Sequence, residues 1–246
     1  MNDATKRLPT AHVNEFCSGF YGYGDWNAPW WFLGMEERGC ASYSEAERRL
    51  SIWREQKSEL ADLHQFHHSL GIDLTKIRLP VTWRFLLRLM LSASHGGLID
   101  KQSVLQTLVT EWGVLRGPTC LVELQPLPCP NRGAWPWREW CEIENGKPDY
   151  ERRILRLRLA ALAERRQRYK PRIVVLYGRG FEAYWQQIVG CELPKIMEPD
   201  VRGGKADGTV FLSIPHLCSR KKGMSYDLMR RLGEWVRDTL KIEAKA

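Results

Sequence analysis

The run Ile173-Val174-Val175-Leu176-Tyr177, bounded by Pro171 and Gly178, constrains the fold more than any other stretch of the chain. It is rich in β-branched residues and shows no polar alternation. A strand built from it must be covered on both faces, which is the situation of an interior strand in a parallel sheet. Similar runs occur at Pro29–Gly34, Thr119–Gln125 and Thr209–Ile214. Helical stretches separate them. That order implies an α/β protein, a three-layer α/β/α sandwich with a central, mainly parallel four-stranded sheet through positions near 31, 121, 174 and 211. The 246 residues contain no repeat and no low-complexity linker. The expectation is one domain over 1–246, with 1–20 and 242–246 peripheral.

Several helices are legible. A long one is expected over Ser44–Leu70, with Ser44 as N-cap and Glu47 as its capping-box partner. His64 and His68 share a face of it, but no carboxylate or cysteine completes a ligand set, so no metal is expected. Pro80 suits the first turn of a helix whose stripe is Trp83, Leu86, Leu87, Met90 and Leu91. A shorter helix spans about Asp100–Trp112. Tyr150–Tyr169 is amphipathic and basic, with Arg152, Arg153, Arg156, Arg165, Arg166 and Arg168 off its apolar stripe. The last helix takes Ser225 as cap. Tyr21–Ala28 reads as a glycine- and aromatic-rich loop, in which Asp25 and Asn27 could line a pocket. The prolines of Pro126–Gly133 argue against regular structure there.

The net charge of +8 favours an anionic partner, nucleic acid before membrane surface. No apolar run approaches the length of a membrane span. The seven cysteines form no C-x-x-C pair, which argues against a zinc ribbon or a simple iron–sulfur site. Their odd count fits reduced thiols and a cytoplasmic location.

Chemistry concentrates at two strand ends. Gly34-Met35-Glu36-Glu37 follows the first run, and His216-Leu217-Cys218-Ser219-Arg220 follows the last. Gly34 would let the chain turn sharply and leave the carboxylates at the carboxyl edge of the sheet, where open α/β sheets bind ligands. With these motifs the chain resembles the uracil-DNA glycosylase superfamily. Members carry a first motif of glycine, any residue, then Asp or Asn, and a second that starts with His, commonly His-Pro-Ser-Pro. The single-strand-selective branch has Gly-Met-Asn-Pro and His-Pro-Ser-Pro-Arg. Pro126–Arg132 resembles the proline-rich segment ending in Asn-Arg of the thermophilic branch, and Pro171–Gly178 its third strand. The resemblance covers about residues 20–240. The chain departs from it in lacking both motif prolines, in carrying Glu at 36, and in lacking the iron–sulfur cysteines.

The resemblance implies a monofunctional DNA glycosylase that flips a base out of DNA and hydrolyses its N-glycosidic bond, as a monomer without a cofactor. Glu36 and His216 would be catalytic. The carboxylate would stabilise the sugar cation and orient water, and His216 would donate to the base as charge builds there. Glu37 and Asp25 are the other candidate carboxylates. Gly34, Met35, Asp25, Asn27, Glu123 and Gln125 would hold the base. Asn131, Arg132, Leu217, Ser219, Arg220, Lys221 and Lys222 would contact DNA, with Leu217 or Met224 as a wedge. As a carboxylate, Glu123 would accept from the exocyclic amine of cytosine. That points to a modified cytosine, such as the glucosylated hydroxymethylcytosine that bacterial antiphage glycosylases of this superfamily remove. Uracil repair, a catalytically silent nucleic-acid-binding module and a hydrolase or transferase of small nucleotides are the competing readings.

Overall fold

The computed structural model describes residues 6–131, 133–143, 146–217 and 223–241. In chain order they form α1 (Thr10–Gly19), β1 (Gly22–Gly24), β2 (Trp30–Arg38), α2 (Tyr43–Gln56), β3 (Leu60–Ala61), α3 (Leu63–Ser69), α4 (Val81–His95), α5 (Lys101–Thr110) and β4 (Thr119–Cys129). There follow α6 (Trp137–Trp140), α7 (Lys147–Tyr169), β5 (Ile173–Tyr177), α8 (Glu182–Val189), β6 (Lys195–Met197), β7 (Val201–Ala206), β8 (Thr209–Ile214) and α9 (Tyr226–Lys241). The protein is mixed α/β, with helices flanking one sheet.

That sheet has eight strands in the order β3-β1-β4-β2-β5-β8-β7-β6, not the four expected. The four expected strands are its centre, β4-β2-β5-β8, and all pair in parallel. The other four extend its edges. β1 pairs antiparallel with β4 and parallel with β3, while β7 and β6 add antiparallel beyond β8. β1 and β3 are too short, at three and two residues, to display a period. β7 contains two glycines and no β-branched run, and is held by its hairpin to β8. The turn is Asp207-Gly208, both at positive φ (51° and 81°), the conformation a tight two-residue hairpin requires.

Four more expectations are corrected. The long helix over 44–70 is two helices with β3 between them. Lys57 adopts a left-handed conformation that ends α2, and Asp62 restarts the chain by accepting the His64 and Gln65 amides, each at 3.0 Å. The cap of α2 is Ser42, which accepts from the Glu45 amide, rather than Ser44. Residues 10–19, expected to be peripheral and irregular, form α1 and bury Val13, Phe16 and Cys17. β4 runs on through Pro126 and Pro128 to Cys129. Its pairing with β2 shifts between Glu36 and Arg38, so the missing proline donors fall beside an irregularity of the ladder.

Two cores flank the sheet. One holds Phe16, Phe32, Phe66, Leu87, Trp112, Leu212 and Leu232, under α1 to α5 and α9. The other holds Trp31, Leu33, Val174 and Leu176 against Leu155, Leu159 and Leu162 of α7 and Trp185 of α8. α4 and α9 lie side by side. Phe85 meets Tyr226 near their first turns, and a Cβ on Gly233 would stand 2.6 Å from the Ala93 amide nitrogen. Both helices therefore begin beside each other and run in the same direction.

Candidate active site

At the carboxyl edge of the parallel centre, three adjacent strands contribute Glu123, Gly34 and Tyr177. Glu123 is paired with Gly34, and Tyr177 follows the Leu33–Leu176 pair. Strand alternation puts all three on the face of the first core, with Leu121, Phe32 and Val175. The Tyr177 hydroxyl donates to Glu123 Oε1 at 2.8 Å. Gly34 is not a turn. β2 continues through it to Arg38 in extended conformation. What the missing side chain provides is room: a Cβ at Gly34 would collide with the Tyr177 hydroxyl and with Glu123 Oε2.

Glu123 as a residue is half-buried, but its Oε2 is shielded from solvent and has no hydrogen-bond partner among the described residues. Burial pushes its carboxyl up to about 8, against the Tyr177 hydrogen bond, and the nearby charges of Glu37 and Glu36 push the same way. Burial likewise holds the Tyr177 hydroxyl well above the ordinary phenol range, with Glu123 adding to it. Two residues along β4, on the same face, Gln125 donates through Nε2 to Glu151 at 3.1 Å, and its Oε1 is buried with no partner among the described residues.

Glu36 sits beside this group with a side chain 18% exposed, and Lys147 Nζ approaches its Oε2 to 3.4 Å. Lys147 also lies 3.9 Å from Glu151 and over the Trp135 ring. It opens α7, which starts there rather than at Tyr150. Glu36 also contributes, after burial, to pushing the neighbouring Cys129 thiol up to about 12.

Glu37 is committed elsewhere. Arg49 grips it with two hydrogen bonds of 3.2 Å, Tyr23 donates to it at 2.9 Å, and His67 Nε2 lies 3.4 Å away. Burial would raise its carboxyl, but Arg49 and then His67 and Tyr23 outweigh that and hold it at about 2. It is an anchor joining β2 to β1, α2 and α3. Lys147, Tyr177, Arg49 and His67 were not singled out from the sequence. They approach the motif from 111 residues away in the case of Lys147, and no local pattern marks them.

Asp25 and Asn27 are at the wrong end of the sheet. The Asp25 amide donates to Thr119 at the start of β4, four residues or about 13 Å before Glu123. Asp25 Oδ1 accepts from Asn27 in a closed turn. Met35 packs on the second core, away from Glu123. Leu217 is only 2% exposed and belongs to the first core, so it is no wedge in this conformation. Asn131 is exposed and caps a turn by accepting from the Gly133 amide. His216 is exposed, two residues past the end of β8. β8 lies two strands from β2, roughly 10 Å across the sheet. Arg132, Ser219, Arg220, Lys221 and Lys222 lie outside the described residues. His64 Nε2 contacts the Leu108 carbonyl oxygen, and among the described residues no cluster of three His, Cys, Asp or Glu could hold a metal ion.

The basic helix is less free than its sequence suggests. Arg158 is buried and donates to the carbonyls of Cys17, Phe20 and Glu123, and Arg166 pairs with Asp207. Arg152, Arg153, Arg156 and Arg168 remain exposed. A separate depression of about 500 Å³, lined by Leu8, His12, Glu47 and Arg54 among others, contains no buried unpartnered polar atom among the described residues. No described helix is long and apolar enough to cross a membrane. Compared with known proteins, the chain matches no protein-family model and no curated protein.

Proposed function

We propose that the chain is a monofunctional DNA glycosylase that hydrolyses the N-glycosidic bond of a flipped-out, modified base. The observation that carries this reading is the pair of buried polar atoms without a partner among the described residues, Glu123 Oε2 and Gln125 Oε1, at the carboxyl edge of the sheet beside Glu36. Buried polar atoms are normally satisfied, and two together next to a carboxylate suit a planar polar ligand such as a base. Glu36 orients water and stabilises the positive charge developing on the sugar, and Lys147 holds the carboxylate in place. His216, at the same edge, donates to the base as it departs with its negative charge. Arg220, Lys221 and Lys222 hold phosphates beside the extruded nucleotide. The base we favour is a modified cytosine of phage DNA, which would make the protein an antiviral enzyme, with uracil as the competing substrate.

The test is incubation with unmodified DNA, uracil-containing DNA and DNA bearing glucosylated hydroxymethylcytosine, scoring abasic sites and identifying released bases by mass. Abasic sites on the glucosylated DNA without strand scission are expected. Release from the uracil DNA alone assigns the protein to uracil repair, and DNA binding with no release from any substrate makes it a silent binding module.

A further inference from the structure

We propose that Glu123 works as a neutral carboxylic acid whose Oε2 hydroxyl donates a hydrogen bond to an acceptor atom of the bound base. The proposal rests on the base-excision reading above and names how that site recognises its ligand.

The geometry assigns the two oxygens different tasks. Oε1 accepts the Tyr177 hydroxyl hydrogen at 2.8 Å, so it serves as the carbonyl oxygen. Oε2 is shielded and faces no donor among the described residues. An ionised carboxylate only accepts, and with one donor for two oxygens it would be poorly satisfied. The groups acting on it from neighbouring elements divide: the donated Tyr177 hydrogen bond and Arg158 favour ionisation, and Glu37 and Glu36 oppose it. Glu36 and Glu37 of β2 bring negative charge, and Tyr177 of β5 brings a neutral hydroxyl. Arg158 of α7 brings positive charge, but its Nη2 donates to the Glu123 main-chain oxygen at 2.7 Å, not to the carboxyl group. Burial, the largest influence, places the carboxyl near 8, so the neutral form prevails at neutral pH. The proton then resides on Oε2, which with the Tyr177 hydroxyl occupies the room left by the missing side chain of Gly34.

A neutral acid offers a donor beside its acceptor oxygen, where a carboxylate only accepts, and this changes what the site can read. Gln125 Oε1, two residues along the same face, supplies an acceptor. Together they present a donor and an acceptor to the ligand. A base edge with an acceptor next to an N–H donor matches, as in the ring nitrogen and exocyclic amine of cytosine or the carbonyl and ring N–H of uracil. The exocyclic amine of a cytosine is thereby directed to Gln125, not to Glu123 as the acceptor-only reading of the sequence has it. An edge offering only donors would leave the Oε2 hydroxyl unpaired and is rejected.

Two measurements decide this. Infrared difference spectra of the ligand-free protein report the carbonyl stretch of a protonated carboxylic acid. We expect a band near neutral pH that disappears as pH rises past about 8 and is absent from Glu123→Gln. Base release is then followed from about pH 6 to about pH 9.5 on the glucosylated and uracil DNAs. Above about 8 the wild type should lose about tenfold per pH unit. Glu123→Gln, which keeps a donor at that position, should retain at least about a third of wild-type release and lose the alkaline decline. Glu123→Ala should fall about 10- to 100-fold. Absence of the infrared band, or a Glu123→Gln protein as inactive as Glu123→Ala, overturns the proposal. If the wild type releases no base from either DNA, the excision reading falls. The infrared band then decides the state of Glu123 by itself, its presence supporting the neutral donor and its absence overturning it.

Discussion

The Tyr177 hydroxyl donates to Glu123 at 2.8 Å directly across Gly34, joining the two strands that flank β2. The glycine that the sequence marks as a turn is thus a gap in the surface of a continuous strand. Three residues far apart in the chain build one polar group there, and the site depends on the smallest of them.

Gly34→Ala tests that dependence. Its backbone is extended and tolerates alanine, but the new methyl would strike both the tyrosine hydroxyl and the glutamate. Displacing them should cost about 1–3 kcal/mol of stability, measured by urea unfolding, and abolish most base release. Wild-type release from Gly34→Ala would show that the Glu123–Tyr177 pair is not part of the site.

Glu36→Gln should keep the fold and DNA binding while base release drops by about 10²- to 10⁴-fold, the span usual for losing a general acid–base group. Release at the wild-type rate would remove Glu36 from the catalytic role. Since Glu37 is gripped by Arg49 and Asp25 lies at the opposite sheet end, neither of them would take its place.

Arg49→Ala should destabilise the protein by about 3–5 kcal/mol at neutral pH, because it strands the Glu37 carboxylate without its cation. Glu37 is held at about 2, below its ordinary 4.5. Its contribution is therefore complete above about 4.5 and is lost as pH falls toward 2. The difference between Arg49→Ala and wild type should shrink over that acid window. A difference independent of pH there would mean the pair is not what Arg49 supports.

Glu123 has the opposite sign. Its value is raised from 4.5 to about 8, so the folded state holds the proton more tightly than the unfolded chain. The associated stability is complete below about 4.5 and is lost as pH rises through 8. Thermal melts of Glu123→Gln should decline less than wild type across that window. Parallel curves would place the proton elsewhere.

Arg220→Ala and Lys221→Ala should weaken DNA binding with little dependence on sequence, and each should lower the slope of log affinity against log salt by about one. Unchanged slopes in both variants would mean that the loop after β8 does not touch the phosphate backbone.

The centre of the fold was legible because its signal is local. Runs such as Ile173–Tyr177 and Thr209–Ile214 are apolar without alternation, and only burial on both faces satisfies them. The Asp207-Gly208 dipeptide is also a local signal, of a hairpin, and recognising it would have revealed β7. β1 and β3 were not legible. Two- and three-residue strands carry no period and exist only because β4 and β1 offer unpaired edges.

In the site, the sequence by itself determined that carboxylates follow a glycine at the end of a buried strand, and that Glu123 and Gln125 share one strand face. It did not distinguish Glu36 from Glu37, two identical side chains one residue apart. Tertiary structure decided that, since the pairing irregularity between Glu36 and Arg38 and the approach of Arg49 and His67 commit Glu37 to a buried ion pair and leave Glu36 to Lys147. It also decided the state of Glu123. Whether a glutamate is a charged acceptor or a neutral donor depends on burial and on which charges surround it, and Tyr177, Glu36, Glu37 and Arg158 come together only when four separate elements pack.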